Sequence, residues 1–284
     1  MTLPPAVVDW CRQAAHGAVT RQESVGGGCI NHGSRLFTSD GTTYFLKTNS
    51  KAPKGMFAAE ARGLEALHGA GGPRVPAPLL WADEFLLLED LPPSTPVADF
   101  WPVLGRRLAH WHDHTSPRFG FDRDNFIGST PQPNPWTEDG HAFFAEHRLL
   151  YQARLAREKS LLSPSDLHRV ESVARRLVDL VPHQPASLIH GDLWSGNVIA
   201  GPAGEACLID PAAHYAWAEA ELGMTELFGG FDPSFYEGYV EARPPAPGWR
   251  ERLPVYNLYH LLNHVNLFGG GYLAAVRRIL DRFA

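Results

Sequence analysis

The chain has 284 residues, enough for about two domains or lobes and for a core that needs neither disulfides nor a metal to hold it. A hydrophobic fraction of 44% beside 20% charged residues excludes a disordered chain. A net charge of −6 speaks against a non-specific nucleic-acid binder, which needs a basic excess to meet phosphates.

The N-terminus has no basic region and meets Asp9 before any long apolar run, so it does not read as a signal peptide. Residues 5–16 predict a short amphipathic helix. β-type runs follow at about 22–26, 34–38 and 43–48, separated by glycine-rich turns. Residues 56–67 have helical spacing, with Phe57, Leu64 and Leu67 on one face, and strand-like pieces at 78–82 and 84–90 complete a sheet of about five strands. After Pro92-Pro93 the pattern turns helical, at 97–112, 138–160 and 166–181. The intervening stretch 116–137, with Pro117, Pro131, Pro133 and Pro135, predicts a surface insertion. A β-type patch at 187–200 and 206–211 precedes helices at 233–243, 249–267 and 270–283. The oily run near 258–273 is interrupted by His260, Asn263, His264 and Asn266, so no membrane span is expected. The expected fold is α+β and bilobal. Residues 1–91 form a small lobe with a five-stranded antiparallel sheet and one main helix, and residues 92–284 a larger, mostly helical lobe.

Glu60 falls on the apolar face of its helix, where a carboxylate is costly unless paired. The preceding strand supplies one cation, Lys47. A strand lysine meeting an inward helix glutamate is the pair that holds nucleotide phosphates in protein kinases, although two surface residues would read the same way. Gly26, Gly27 and Gly28 lie between two strands, where backbone N–H groups can approach phosphate oxygens or simply form a turn. The second half is sharper. Asp192 and Asn197 are five apart within His190-Gly191-Asp192-Leu193-Trp194-Ser195-Gly196-Asn197, and Asp210 ends the next apolar run. That interval matches a kinase catalytic loop: one carboxylate aligns the attacking hydroxyl, while an amide oxygen and a second carboxylate hold Mg²⁺. Glu89, Asp90 and Leu91 fall where a hinge between lobes offers an adenine its backbone groups. His112 is read as a brace for the catalytic loop.

These stretches resemble the fructosamine kinase family (ketosamine 3-kinases). The matches are GGGCIN (26–31), YFLKTN (44–49), MFAAEARGL (56–64), LLLEDL (86–91), HGDLWSGNV (190–198), LIDPA (208–212), MTELFGGF (224–231) and LLNHVNLFGGGY (261–272). The resemblance implies a protein-kinase-like fold related to aminoglycoside and choline kinases. It further implies ATP and Mg²⁺ as cofactors, and phosphorylation of the 3-hydroxyl of a ketoamine, after which the unstable 3-phosphate is eliminated and the amine is freed. It makes Asp192 the catalytic base, Asn197 and Asp210 the metal ligands, and Lys47 and Glu60 the phosphate-positioning pair. Trp194, Tyr215 and Glu219 are expected at the substrate. One departure stands out: Ala218 occupies the place before Glu219 where the family usually has arginine.

The acceptor is expected to be a ketoamine on a small molecule or a protein lysine, with no nucleic-acid or membrane partner. An aminoglycoside- or choline-type kinase and a nucleotide-binding pseudokinase remain as alternatives. The three cysteines, Cys11, Cys29 and Cys207, form no CxxC pair, which favours a reducing cytoplasm. Cys29 in the glycine loop suggests a redox-sensitive thiol and, with it, either a monomer or a redox-dependent homodimer.

Overall fold

The computed structural model describes residues 3–13, 17–26, 30–68 and 71–284. Strands β1 (Val19–Val25), β2 (His32–Thr38), β3 (Thr43–Thr48), β4 (Pro78–Ala82) and β5 (Phe85–Glu89) make one antiparallel sheet, ordered β1-β2-β3-β5-β4. Alternation along the strands gives the sheet two apolar faces. Leu36, Tyr44, Leu46, Phe85 and Leu87 close on Val7 and Cys11 of α1 (Pro5–Gln13). Leu86 and Leu88, with Phe45 beside them, face α2 (Met56–His68) and its Phe57, Ala61 and Leu64. This second cluster runs without a break into the helical remainder, so α2 is packed from both sides.

That remainder begins with α3 (Phe100–His112), the short β6 (Thr115–Ser116), and the hairpin of β7 (Asn125–Ile127) and β8 (Thr130–Gln132). Helices α4 (Gly140–Phe144) and α5 (Tyr151–Glu158) are joined by a π-helical turn, Ala145–Leu150. Then come α6 (Pro164–Arg175), α7 (Leu177–Leu180), β9 (Ala186–Ile189), β10 (Val198–Ala200), β11 (Ala206–Leu208) and β12 (His214–Ala216). The chain finishes with α8 (Ala218–Leu227), α9 (Pro233–Ala242), α10 (Trp249–Phe268) and α11 (Leu273–Phe283). Among the described residues no helix is long and apolar enough to cross a membrane.

Three expectations need correction. The stretch 116–137 is not a surface insertion. Asn125, Gln132 and Asn134 are buried, and Asn125 Nδ2 and Gln132 Nε2 donate to the carbonyls of Ala213 (2.9 Å) and Ala212 (3.2 Å). Its prolines mark an irregular backbone, and irregular is not the same as exposed. Helix α8 was not foreseen, because Ala218 to Thr225 are all buried and a helix covered on every side shows no 3.6-residue period. The helix expected over 166–181 breaks at Arg176 into α6 and α7. The end of the helix expected at 5–16 lies outside the described residues beyond Gln13.

The packing also positions the site. The Trp111 indole N–H donates to the Leu67 carbonyl at 3.0 Å, satisfying an open acceptor at the end of α2. A Cβ on Gly63 would stand 3.3 Å from that of Ala213, so α2 lies close against the segment that follows Asp210.

Candidate active site

Lys47 lies on the α2-facing side of β3, opposite Gly33 and Leu86 in the neighbouring strands. Its ammonium donates to Glu60 on α2 and to Oδ1 of Asp210, the latter at 2.5 Å. The side chains of Lys47 and Glu60 are 8% and 12% exposed, and that of Asp210 is 42% exposed. Burial works against the lysine's charge, but the Asp210 and Glu60 carboxylates outweigh it and hold the pKa above the ordinary lysine value. For Glu60 burial dominates and raises its pKa, with Lys47 opposing. Asp210 has φ of +59°, a left-handed backbone that aspartate tolerates better than most residues. Such conformations cluster at functional sites.

The loop from His190 to Asn197 is stitched to the segment around Asp210. The Asp192 N–H donates to His190 Nδ1 (3.3 Å), so Nε2 carries the ring proton and donates to the Ile209 carbonyl (2.9 Å). Burial lowers the His190 pKa and keeps the ring neutral. The Ala212 N–H reaches the His190 carbonyl (2.9 Å), and the Ile209 N–H reaches that of Asn197 (3.1 Å). Gly191 has φ of +83°, and a Cβ there would stand 2.3 Å from the Ala212 carbonyl oxygen, so only glycine fits. From α8, the Glu221 carboxylate accepts the N–H groups of His190 and Gly191, each at 2.8 Å. His112 Nε2 meets the same carboxylate at 3.2 Å, and its Nδ1 lies 2.7 Å from the Tyr239 hydroxyl. His112 therefore braces the loop as expected, acting through Glu221. Burial raises the Glu221 pKa, but His112 and the backbone N–H groups reverse this and bring it below the usual value.

Asn197 Nδ2 donates to the Asp192 carbonyl (2.7 Å) and approaches the Asp192 carboxylate (3.3 Å), which leaves the amide oxygen as the end for a cation. Burial, then the neighbouring Asp210 charge, push Asp192 up to about 7. Two carboxylates thus sit in one corner with more negative charge than it tolerates, a condition a divalent ion relieves. Among the described residues no group of three His, Cys, Asp or Glu side chains is placed to hold a metal. The available set is oxygen-only, one carboxylate and one amide. This suits Mg²⁺, which keeps waters and takes phosphate oxygens, and does not suit zinc.

The other expected residues are placed as follows. Gly26 is exposed at the end of β1, with open space where a Cβ would lie. Gly27, Gly28 and Cys29 lie outside the described residues. The Glu89 carboxylate is bound by Arg74 (2.6 Å), which also binds Glu205 (2.7 Å). Asp90 pairs with Arg35, and Leu91 is buried. Trp194, 36% exposed, lies over Gly196 and meets Phe228 edge-on at 6.2 Å. Phe228 in turn packs on His264 (4.7 Å). Tyr215 packs on Trp136 at 5.9 Å.

Glu219 is not brought to the site. Arg252 grips both its carboxylate oxygens at 2.6 Å, and the Tyr256 hydroxyl donates to one at 2.9 Å, all within the core. The guanidinium that Glu219 binds comes from α10. Glu221 escaped the sequence reading, although an acid placed directly between Ala220 and Leu222 was the available signal.

Known proteins share this arrangement of chain. The fructosamine kinase family model matches residues 6–284. An Arabidopsis thaliana chloroplastic protein-ribulosamine 3-kinase is 39% identical over 281 residues, covering 93% of this chain and 83% of that one. A Synechocystis sp. protein named a probable ketoamine kinase is 45% identical over 269 residues, covering 93% and 90%. A crystal structure from Thermobifida fusca, named in the fructosamine-3-kinase class, matches with a TM-score of 0.90 and 33% identity over 99% and 98% of the two chains. An aminoglycoside phosphotransferase structure, at 13% identity and a TM-score of 0.62, shares the bilobal protein-kinase-like fold alone.

Proposed function

The chain belongs to the fructosamine kinase family, and we propose that it transfers the γ-phosphoryl group of ATP to the 3-hydroxyl of a ketoamine, with Mg²⁺. The observation that carries this reading is one junction. Lys47 binds Glu60 and Asp210 together, while Asn197, one hydrogen bond from Asp192, stands on the loop stitched to Asp210. The lobe boundary falls between residues 91 and 92, with the nucleotide held between residues 1–91 and 92–284.

In this reading Lys47, oriented by Glu60, holds the α- and β-phosphates. Asn197 and Asp210 would hold Mg²⁺, which supplies charge neutralisation for the transferring phosphoryl group. Asp192 accepts a hydrogen bond from the attacking hydroxyl and aligns it. The transition state is loose, so positioning matters more than basicity. Glu89 and Leu91 offer the base their backbone groups. Trp194 gives the sugar or its alkyl carrier a flat wall, and Tyr215 is a further contact proposed for the substrate. The relatives' names, a probable ketoamine kinase and a protein-ribulosamine 3-kinase, support a ketoamine as the acceptor. Departure of the 3-phosphate then releases the amine, so the net result is deglycation. A cytoplasmic site of action fits the free, buried thiols Cys11 and Cys207.

The test is incubation with ATP, Mg²⁺ and a panel of ribulosyl-, erythrulosyl- and fructosyl-lysines, followed by mass spectrometry. Gain of one phosphate by a ketoamine, lost in Asp192→Ala, is expected. ATP consumption with no acceptor modified would sink the assignment.

A further inference from the structure

The sheet face that carries Lys47 also carries a second charged pair, and the reaction as described leaves it without a task. Strand register locates it. Gly33 stands opposite Lys47 and Arg35 opposite Phe45, so Arg35 shares the Lys47 face. It lies two residues nearer the segment joining the lobes, about 7 Å at strand spacing. There Arg35 Nε donates to Asp90 Oδ2 at 2.7 Å, reaching from β2 to the residue between Glu89 and Leu91. The Asp90 side chain is 1% exposed and that of Arg35 22% exposed. The other carboxylate oxygen, Asp90 Oδ1, is buried and receives no hydrogen bond from the described residues.

A buried carboxylate oxygen with no donor is costly, and the cost is removed when a ligand brings the donor. A guanidinium anchored through Nε has a fixed plane, and such planes stack well on aromatic rings. In the reading above, phosphates lie at Lys47 and the base lies toward residues 89–91, which is the direction in which this pair is found. We propose that Arg35 and Asp90 form the nucleobase end of the nucleotide site. The Arg35 guanidinium stacks on the purine ring, and Asp90 Oδ1 accepts a hydrogen bond from the exocyclic amino group of adenine. The inference rests on the assignment of Lys47 to the phosphates and is independent of the acceptor.

Calorimetric titration of ATP and of ITP, which lacks the amino group, in Mg²⁺ and without any ketoamine tests it. The wild type is expected to prefer ATP about tenfold or more, one hydrogen bond to a charged group. Arg35→Ala should weaken both nucleotides about fivefold while keeping their ratio. Asp90→Ala should instead move the ATP-to-ITP ratio toward one, by about threefold or more. Should Asp90→Ala not fold, Arg35→Lys keeps a positive charge beside Asp90 but removes the plane, and it should weaken both nucleotides as Arg35→Ala does. Variants that melt earlier yet bind both nucleotides like the wild type would make the pair a strut between β2 and the joining segment and overturn the proposal. A wild type that binds neither nucleotide would overturn the phosphate assignment beneath it. Nucleotide binding without transfer to any ketoamine would leave this proposal standing and remove only the acceptor.

Discussion

Lys47 and Glu60 are thirteen residues apart and meet through two simple periodicities, a strand of period two and a helix of period 3.6. Asp192 stands on a loop with no period. Its backbone is tied by Glu221, thirty residues beyond Gly191, and through Glu221 to His112, 109 residues away from it in sequence. Both halves bury charge, but with different consequences. In the sheet half a lost partner can be answered by a proton, since burial already raises the Glu60 pKa. In the loop half, backbone N–H groups depend on one carboxylate and cannot neutralise themselves. The sheet half should therefore lose function with little loss of stability, and the loop half should lose both.

The largest effect is expected for Asp192→Ala, a fall in kcat of two powers of ten or more, roughly 3 kcal/mol of barrier. Unchanged single-turnover rates would remove the loop from the chemistry. Lys47→Met should lower kcat/KM for ATP about thirtyfold, about 2 kcal/mol, with a thermal midpoint close to wild type because Glu60 takes up a proton. A large drop in that midpoint would break the contrast between the halves. Glu221→Gln keeps the shape but exchanges one acceptor for a donor facing N–H groups. It should cost about tenfold in kcat and 1–3 kcal/mol of stability, measured by denaturant unfolding. Loss of rate without loss of stability there would show that the two halves are held alike.

The smallest effect is a control remote from both halves. Asp166 in α6 is bound by Arg277 and by Ser163, which outweigh burial and bring its pKa down from 3.8 to about 2. A depressed carboxylate stabilises the fold above its unfolded pKa and ceases to do so as pH falls through the folded one. Asp166→Asn should thus lose at most about 2 kcal/mol at neutral pH, less whatever solvent screening of half-exposed Arg277 removes, with the difference shrinking as pH falls and gone only below the folded pKa of about 2. Activity at pH 7 should be untouched. A stability difference as large at pH 2 as at pH 7 would contradict this.

The legibility of the molecule in its sequence follows the same division. The five strands of the sheet and α2 were readable from local pattern, the strands as β-type runs between turns and α2 from the helical spacing of Phe57, Leu64 and Leu67. Asp192, Asn197 and Asp210 were readable as residue types at fixed intervals. Helix α8 was not, since it is buried all round, and with it went Glu221. Glu219 was misread as a substrate contact for the same reason. A buried acid announces a need for a partner without saying which, and Arg252, 33 residues on, is the answer. The stretch 116–137 was misread because proline content reports backbone regularity and is silent about which polar side chains turn inward.

By itself, the order of residues along this chain determined which groups are present for phosphoryl transfer and which lie on periodic elements, because strand and helix repeats are local and survive in a one-dimensional pattern. Only the packed structure decided how the reactive loop is held. Its braces are single buried hydrogen-bonding groups drawn from distant parts of the chain, and a lone polar group has no period by which its partner can be found.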